Sequence, residues 1–193
     1  RRIDILKSAA AAFRRRGYHG ASVDEIASAL EMTKGNLYYY FRNKEEILYA
    51  CHEYSLDVLL HLLDGVRAEA STPDEKLRLL VLAFVHLILD ELQATALTID
   101  LQALSPPLLR KVIARRDTFD RGLREIIQQG MDEGRFSAGD PKMVAFAVMG
   151  SGAFSTTTSG VGLAVGLPAT TRRRREHRIR RVYRFFDGRE LPE

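Results

Sequence analysis

Residues 22–41 have the sequence Ser-Val-Asp-Glu-Ile-Ala-Ser-Ala-Leu-Glu-Met-Thr-Lys-Gly-Asn-Leu-Tyr-Tyr-Tyr-Phe, which decides the fold of the N-terminal part of the chain. It predicts two short helices joined by a tight turn at 31–33. Ser22 and Glu25 have the spacing of a capping box, and Thr33 is a capping residue for the second helix. The side chains expected to face inward are Val23, Ile26, Ala27 and Leu30 on the first helix, and Leu37 and Phe41 on the second.

A preceding helix at 1–16 completes a three-helix arrangement. Its apolar residues recur at helical spacing, and Gly17 is placed to end it. The residues expected to complete the small core are Ile5, Leu6, Ala9, Ala10 and Phe13. Three short helices around one small core are typical of a helix-turn-helix, whose last helix enters the major groove of DNA.

The outer face of helix 34–40 carries groups that suit DNA. Lys34 and Asn36 are donors for base edges. Gly35 costs about 1 kcal/mol of helix propensity relative to alanine, which indicates that the backbone comes close to DNA. Four consecutive residues, 38–41, span the whole circumference of a helix, so they cannot all belong to the core. We expect Tyr39 to be exposed and Tyr38 to be half packed.

The segments 21–27 and 32–48 resemble the N-terminal signature of the TetR/AcrR family of transcriptional regulators, and the resemblance runs without gaps from Ile3 to about Leu48. It implies base or groove contacts for Lys34, Gly35 and Asn36. It implies phosphate contacts for Ser22, Thr33, Tyr38, Tyr39, Tyr40 and Lys44. It also implies a helical C-terminal domain that binds a small molecule and forms a homodimer through its last two long helices.

Helical patterns continue along the chain and predict an all-α fold of about nine helices. The predicted helices are 1–16, 23–30, 34–40, 44–69, 73–91, 93–104, 106–133, 141–158 and 170–187. A helix-turn-helix DNA-binding domain at 1–46 would be followed by an effector-binding and dimerisation domain at 47–193. Helix 44–69 carries an apolar stripe that makes Cys51 a core residue: Ile47, Cys51, Tyr54, Val58, Leu62 and Val66.

The charge of +4 is concentrated at the two ends of the chain. Residues 1–50 carry nine Lys and Arg against six Asp and Glu, and residues 170–193 carry nine against four. Basic ends point to polyanions such as nucleic acid, although solvated helix faces would give the same pattern. Because Cys51 is the single cysteine, an internal disulfide is excluded and a reducing, cytoplasmic setting is expected.

The residue inventory argues against an enzyme. No two of the five histidines have metal-ligand spacing, and no nucleophile elbow is found. The glycines at 160–166 depart from the dinucleotide-binding pattern, because the third comes one position late and no strand precedes them. We therefore expect no catalytic residues, no metal and no cofactor.

Polar residues on otherwise apolar helices are the candidates for an effector pocket, with a hydrogen-bonded core residue or a solvated face as the alternative for each. They are His86, Asp90, Thr98, Gln102 and Arg116. Leu, Val, Ile and Phe would supply most of the lining, so the expected effector is hydrophobic or amphipathic. The resemblance extends to regulators that respond to acyl-CoA, whose phosphates could use the arginines between Arg172 and Arg181. A solvated face is the alternative for that cluster.

Small side chains at 141–158 allow close helix approach, which suits a dimer seam, and the resemblance implies that this helix and the one at 170–187 form the homodimer seam. The sequence predicts a ligand-responsive DNA-binding regulator, a repressor released from its operator by a small molecule, with no membrane partner. The alternative is a basic helical protein that binds a membrane surface or another partner without effector control, through residues 172–184.

Overall fold

The computed structural model describes residues 1–89 and 101–155, and every regular element in these ranges is helical. The seven α-helices and their bounds are α1 Arg2–Gly20, α2 Val23–Ser28, α3 Lys34–Tyr40, α4 Lys44–Glu69, α5 Pro73–Leu89, α6 Pro106–Asp132 and α7 Pro141–Ser155. A 3-10 helix occupies Leu101–Ala103. The all-α prediction is therefore confirmed.

Most helix bounds agree with the prediction within three residues. The first helix is predicted to end at 16, but α1 continues to Gly20. It is interrupted at Gly17, which has a positive φ of 67°. The second helix ends at Ser28 rather than at 30, because the turn begins earlier and passes through Glu31 at a φ of 54°. The helix predicted at 93–104 is wrong at its end, which forms the 3-10 helix; its first part and the helix at 170–187 lie outside the described residues.

Side-chain caps fix the starts of three helices. Ser22 Oγ accepts a hydrogen bond from the Glu25 N–H at 3.0 Å, and Thr33 Oγ1 accepts one from the Asn36 N–H at 3.2 Å. Asn43 Oδ1 accepts one from the Glu46 N–H at 2.8 Å. These bonds satisfy donors that the first turn of a helix leaves unpaired.

The glutamates three residues after Ser22 and Asn43 do not make the return bond that a capping box would give. Glu25 Oε1 pairs with Arg15 at 3.0 Å and with Arg16 at 3.6 Å, both on α1, instead of returning to the Ser22 N–H. Glu46 Oε2 accepts from the Arg42 N–H at 2.6 Å, one residue before the cap. Opposite charges on α1 thus attract the first carboxylate away from its own helix.

The small core joins α1, α2 and α3 as predicted. All five apolar residues named on α1 are buried, as are Val23, Ile26 and Ala27 on α2, Leu37 on α3 and Phe41, the extended residue that follows α3. Leu30 is only half-buried, because it lies in the turn beyond the end of α2. The Cys51 thiol donates to the Leu6 carbonyl at 3.6 Å, so α4 packs on α1 and Cys51 belongs to the core.

The chain divides into two compact units. The first contains residues 1–59 and the described part of 87–118; the second contains 60–86 and the described residues from 119 onward. Helix α4 contributes to both and is buried over more than the predicted stripe. Besides that stripe, on which Tyr54 is half-buried, it buries Leu48, His52, Ser55, Leu56, Leu59 and Leu63.

In the second unit, α4 and α6 are joined by Arg67 and Glu125, whose N–O distance is 2.6 Å. A Cβ at Gly122 of α6 would collide with the Leu63 side chain, so glycine permits the close approach. Helix α7 buries Ala145 but exposes Met143 and Phe146, the latter by 75%. None of the helices in the described ranges is long and apolar enough to cross a membrane.

Candidate nucleic-acid interface

The outer face of α3 is presented to solvent while its inner face is anchored. Leu37 and Phe41 are fully buried, whereas Tyr39 is 87% exposed and Tyr38 is 41% exposed. Tyr40 is half-buried, and its ring packs edge-on against Tyr39 at 5.5 Å between centroids. The expected exposures of Tyr39 and Tyr38 are confirmed, and the tyrosine run wraps around the helix instead of forming a core stripe.

The first turn of α3 carries the predicted base-reading groups together. Thr33, Lys34, Gly35 and Asn36 are all exposed. A Cβ added at Gly35 would come no closer than 3.8 Å to Thr33 Oγ1, which is ordinary contact. The described fold therefore gives no internal reason for a glycine at this position, and an external surface that approaches the backbone would give one.

Lys34 is held by an acidic side chain of the preceding helix. Its Nζ lies 3.0 Å from Asp24 Oδ2. The hydrogen bond and the negative charge of Asp24 raise the pKa of Lys34 above its ordinary value. The lysine is therefore charged at neutral pH, and its ammonium is oriented before any ligand arrives.

Lys44 ties the beginning of α4 to the corner between α1 and α2. Its Nζ donates to the carbonyl oxygens of Tyr18, at 2.8 Å, and Ala21, at 3.0 Å. The same ammonium lies 4.5 Å from the centroid of the Tyr18 ring. The side chain of Lys44 thus serves the fold, and a phosphate at this position would meet the backbone N–H groups that open α4.

A polar cluster joins α4 and α6 within the first unit. Arg115 pairs with Glu53 at 2.9 Å and also with Asp57. Near the start of α6, Glu45 Oε1 accepts from the Ser105 N–H at 2.6 Å. The hydrogen bonds from the Ser105 side chain and backbone lower the pKa of Glu45. These contacts fix the first half of α4 against α6.

His52 was missed as a candidate site residue from the sequence. Its side chain is completely buried. Burial, aided by the positive charge of Arg116 on α6, lowers the pKa of His52 to about 4, so the ring is neutral at pH 7. The available signal was its spacing of four residues from both Leu48 and Leu56, which places it on a second apolar stripe of α4.

The structure places only part of the predicted effector pocket. Arg116 is half-buried on α6, and Gln102 is exposed in the 3-10 helix. His86 lies on α5, but its side chain is outside the described residues, as are Asp90 and Thr98. The arginines at 172–184 also lie outside the described residues, so the membrane-surface alternative that depends on them is not tested.

Two family models match the chain. Residues 5–51 match the model for bacterial regulatory proteins of the tetR family. Residues 70–157 match the model for a tetracyclin repressor-like C-terminal domain. The first range contains α2, α3 and the beginning of α4, and the second contains α5, α6 and α7.

Individual relatives agree with these models. The Transposon Tn10 TetC protein of Escherichia coli is 38% identical over 52 residues, 27% of this chain and 26% of its own length. The Fatty acid metabolism regulator protein of Bacillus subtilis is 24% identical over 138 residues, 71% of each chain. A crystal structure of AibR in complex with isovaleryl coenzyme A and operator DNA has a TM-score of 0.73 and 26% identity, covering 95% of this chain and 96% of that one.

Proposed function

Because the chain belongs to the TetR family of transcriptional regulators, we propose that it is a repressor that binds operator DNA through α3 and is released by a small molecule. The observation that carries this proposal is the division of α3 into a buried face and an exposed one. Leu37 and Phe41 hold the helix, and its first turn and Tyr39 remain free to meet a groove.

Within this proposal Lys34 and Asn36 read base edges, and Gly35 lets the backbone approach the groove. Phosphates are contacted by side chains or by N–H groups at the starts of α2, α3 and α4, at Ser22, Thr33, Tyr38, Tyr39, Tyr40 and Lys44. Residues 1–46 form the DNA-binding domain, and the remainder binds the effector and dimerises. The protein acts in the cytoplasm, where bacterial operator DNA is found.

A homodimer follows from the geometry of DNA reading. One short helix contacts too few base pairs, and twofold proteins place two such helices in successive major grooves. The exposed side chains of Met143, Phe146 and Ala147 lie at spacings of three and four residues, on one face of α7. This face, rather than the buried Ala145, is the proposed α7 contribution to the seam, with residues 170–187 as its second helix.

The proposed effector is an amphipathic acyl compound, either a fatty acid or its coenzyme A thioester. Two relatives support this class, because one is a Fatty acid metabolism regulator protein and the other, AibR, forms a complex with isovaleryl coenzyme A. The first experiment is selection of genomic fragments by the purified protein, which yields the operator and the genes beside it.

Tyr39→Ala is expected to weaken binding to operator and to random DNA by a similar factor of roughly ten, because a lost phosphate hydrogen bond is the same on every sequence and a dimer loses two. Lys34→Ala is expected to weaken operator binding more than random binding, because a base contact is lost. Fluorescence anisotropy on both DNAs at several salt concentrations measures the two effects. The phosphate role of Tyr39 is wrong if Tyr39→Ala binds both DNAs like the native protein.

Operator and effector are expected to antagonise each other. Ligand linkage requires that an effector which weakens operator binding be bound more weakly, by the same factor, when operator is saturating. Calorimetric titration with isovaleryl-CoA and palmitoyl-CoA, with and without operator, measures that factor. Equal effector affinity with and without operator would refute effector-controlled repression but would leave the proposed DNA binding intact.

A further inference from the structure

His52 is a buried polar group that the fold leaves unexplained. Its side chain has no exposed surface. Neither Nδ1 nor Nε2 has a hydrogen-bond partner among residues 1–89 and 101–155. Buried polar atoms are nearly always paired, so two unpaired nitrogens on one ring indicate that a partner is missing.

The surroundings of the ring define what the partner must be. Arg116 is close enough for its charge to act on the imidazole. Across the same helix pair, Arg115 is neutralised by Glu53 and Asp57. A neutral imidazole offers one N–H donor and one acceptor. A donor beside an arginine suits an oxygen with full or partial negative charge, and it disfavours an ammonium group.

We propose that His52 is the polar anchor of the effector site and donates a hydrogen bond to the carbonyl or carboxylate oxygen of an acyl ligand, next to Arg116. This inference rests on the proposed effector-controlled repression and names the group that the site recognises. A thioester and a free fatty acid both carry the required oxygen. The apolar side chains on the same face of α4, Leu48 and Leu56, suit the adjoining hydrocarbon.

The position of His52 also suits regulation. It lies eight residues after Lys44, about 12 Å along the axis of α4, and Lys44 is bonded to the corner between α1 and α2. A ligand at His52 therefore contacts the helix whose beginning is fixed to the DNA-binding helices. Release from operator requires only that the ligand bind better to the arrangement that does not fit the operator.

The test compares the native protein with His52→Leu, which removes the hydrogen bond at similar volume, and with His52→Gln, which restores a donor. His61→Leu is the matched control, because His61 is an exposed histidine of the same helix. The probes are palmitate, palmitoyl-CoA and isovaleryl-CoA, with hexadecanol and hexadecylamine as chains that lack the carbonyl. Calorimetry measures probe binding, anisotropy measures operator release, and thermal unfolding measures stability.

We expect His52→Leu to bind operator like the native protein, to unfold at the same or a higher temperature, and to bind the acyl probes at least tenfold more weakly, which is about 1.4 kcal/mol. His52→Gln should recover part of that loss, and His61→Leu should match the native protein. Palmitate and the two thioesters distinguish a carboxylate ligand from a thioester ligand. Hexadecanol and hexadecylamine should bind weakly to every variant.

Two results would overturn the anchor. Equal affinity of His52→Leu and native protein for the acyl probes would refute it while leaving repression intact. Failure of the native protein to bind any acyl probe would refute the acyl chemistry of His52. If both His52→Leu and His52→Gln unfold at a lower temperature yet bind the acyl probes like the native protein, the first of these results assigns the histidine to the fold. Failure to bind any selected genomic DNA would instead overturn the proposed function itself.

Discussion

Replacing Phe146 with glutamate is expected to separate the proposed homodimer and to abolish operator binding at working concentrations. Phe146 is 75% exposed on α7, which is unusual for a large apolar side chain unless a partner covers it. Loss of a central aromatic anchor costs about 2 kcal/mol or more, and each protomer supplies one. The dimer dissociation constant should therefore rise by roughly a thousandfold or more. The charge of the two introduced glutamates, buried in the interface, should raise it further.

Analytical ultracentrifugation measures the dissociation constant, and anisotropy measures operator binding. Ile113→Glu is the matched control, because Ile113 is also a large exposed apolar residue, 43% exposed, but lies on α6 outside the proposed seam. It should remain dimeric and bind operator normally. A Phe146→Glu protein that stays dimeric with native operator affinity would place the seam elsewhere.

The second large effect is expected at Phe41, where Phe41→Ala should lower the free energy of unfolding by about 3–5 kcal/mol. Phe41 is 1% exposed and caps the C-terminal end of α3, and the guanidinium of Arg2 lies 4.4 Å from the centroid of its ring. Removal of the ring leaves a cavity, and the small core formed by the N-terminal helices has too few side chains to fill it. Since whole domains are stable by only about 5–15 kcal/mol, the N-terminal helices should unfold in part at 37 °C.

Urea unfolding measures the decrease in the free energy of unfolding. Amide hydrogen exchange shows whether the loss of stability is concentrated in α1, α2 and α3. Tyr39→Ala is the natural comparison, since it removes an exposed ring two residues away and should change stability by less than about 0.5 kcal/mol. Comparing Phe41→Ala with Tyr39→Ala distinguishes the effect of the buried anchor of α3 from that of its exposed face. If both substitutions destabilise the protein equally, the division of α3 into anchor and reading face is wrong.

The N-terminal helices could be predicted because their determinants are local. Ser22, Thr33 and Asn43 bond to N–H groups three residues away, and such spacing is visible in a sequence. The inward placement of Leu37 follows from helical periodicity alone, and Phe41, four residues later, is buried although it lies just beyond the end of α3. The exposure of Tyr39 follows from the same geometry, because a run of aromatic residues cannot all face one side.

The features that sequence reasoning missed depend on neighbours that are distant along the chain. A single stripe predicts one buried face, whereas α4 is buried on additional faces because α1 and α6 pack against it. The spacing of His52 from Leu48 and Leu56 indicates a second apolar stripe, but only the packing of other helices on α4 shows that this stripe is completely buried. In the same way, the carboxylate of Glu25 pairs with Arg15 and Arg16 of α1 instead of accepting from the backbone at the start of α2.

The pairing of Lys34 with Asp24 has a consequence for the kinetics of target search. On random DNA, where no base matches, the ammonium can stay with its carboxylate, and Asp24 then repels the phosphates. Sliding complexes should be short-lived under these conditions, because non-specific affinity depends on free positive charge. If Lys34 reads a base, as proposed, a matching base offers its ammonium an acceptor in place of Asp24, and the complex with operator should outlast the complex with random DNA. The acidic residue would thereby shorten the time spent on the rest of the chromosome.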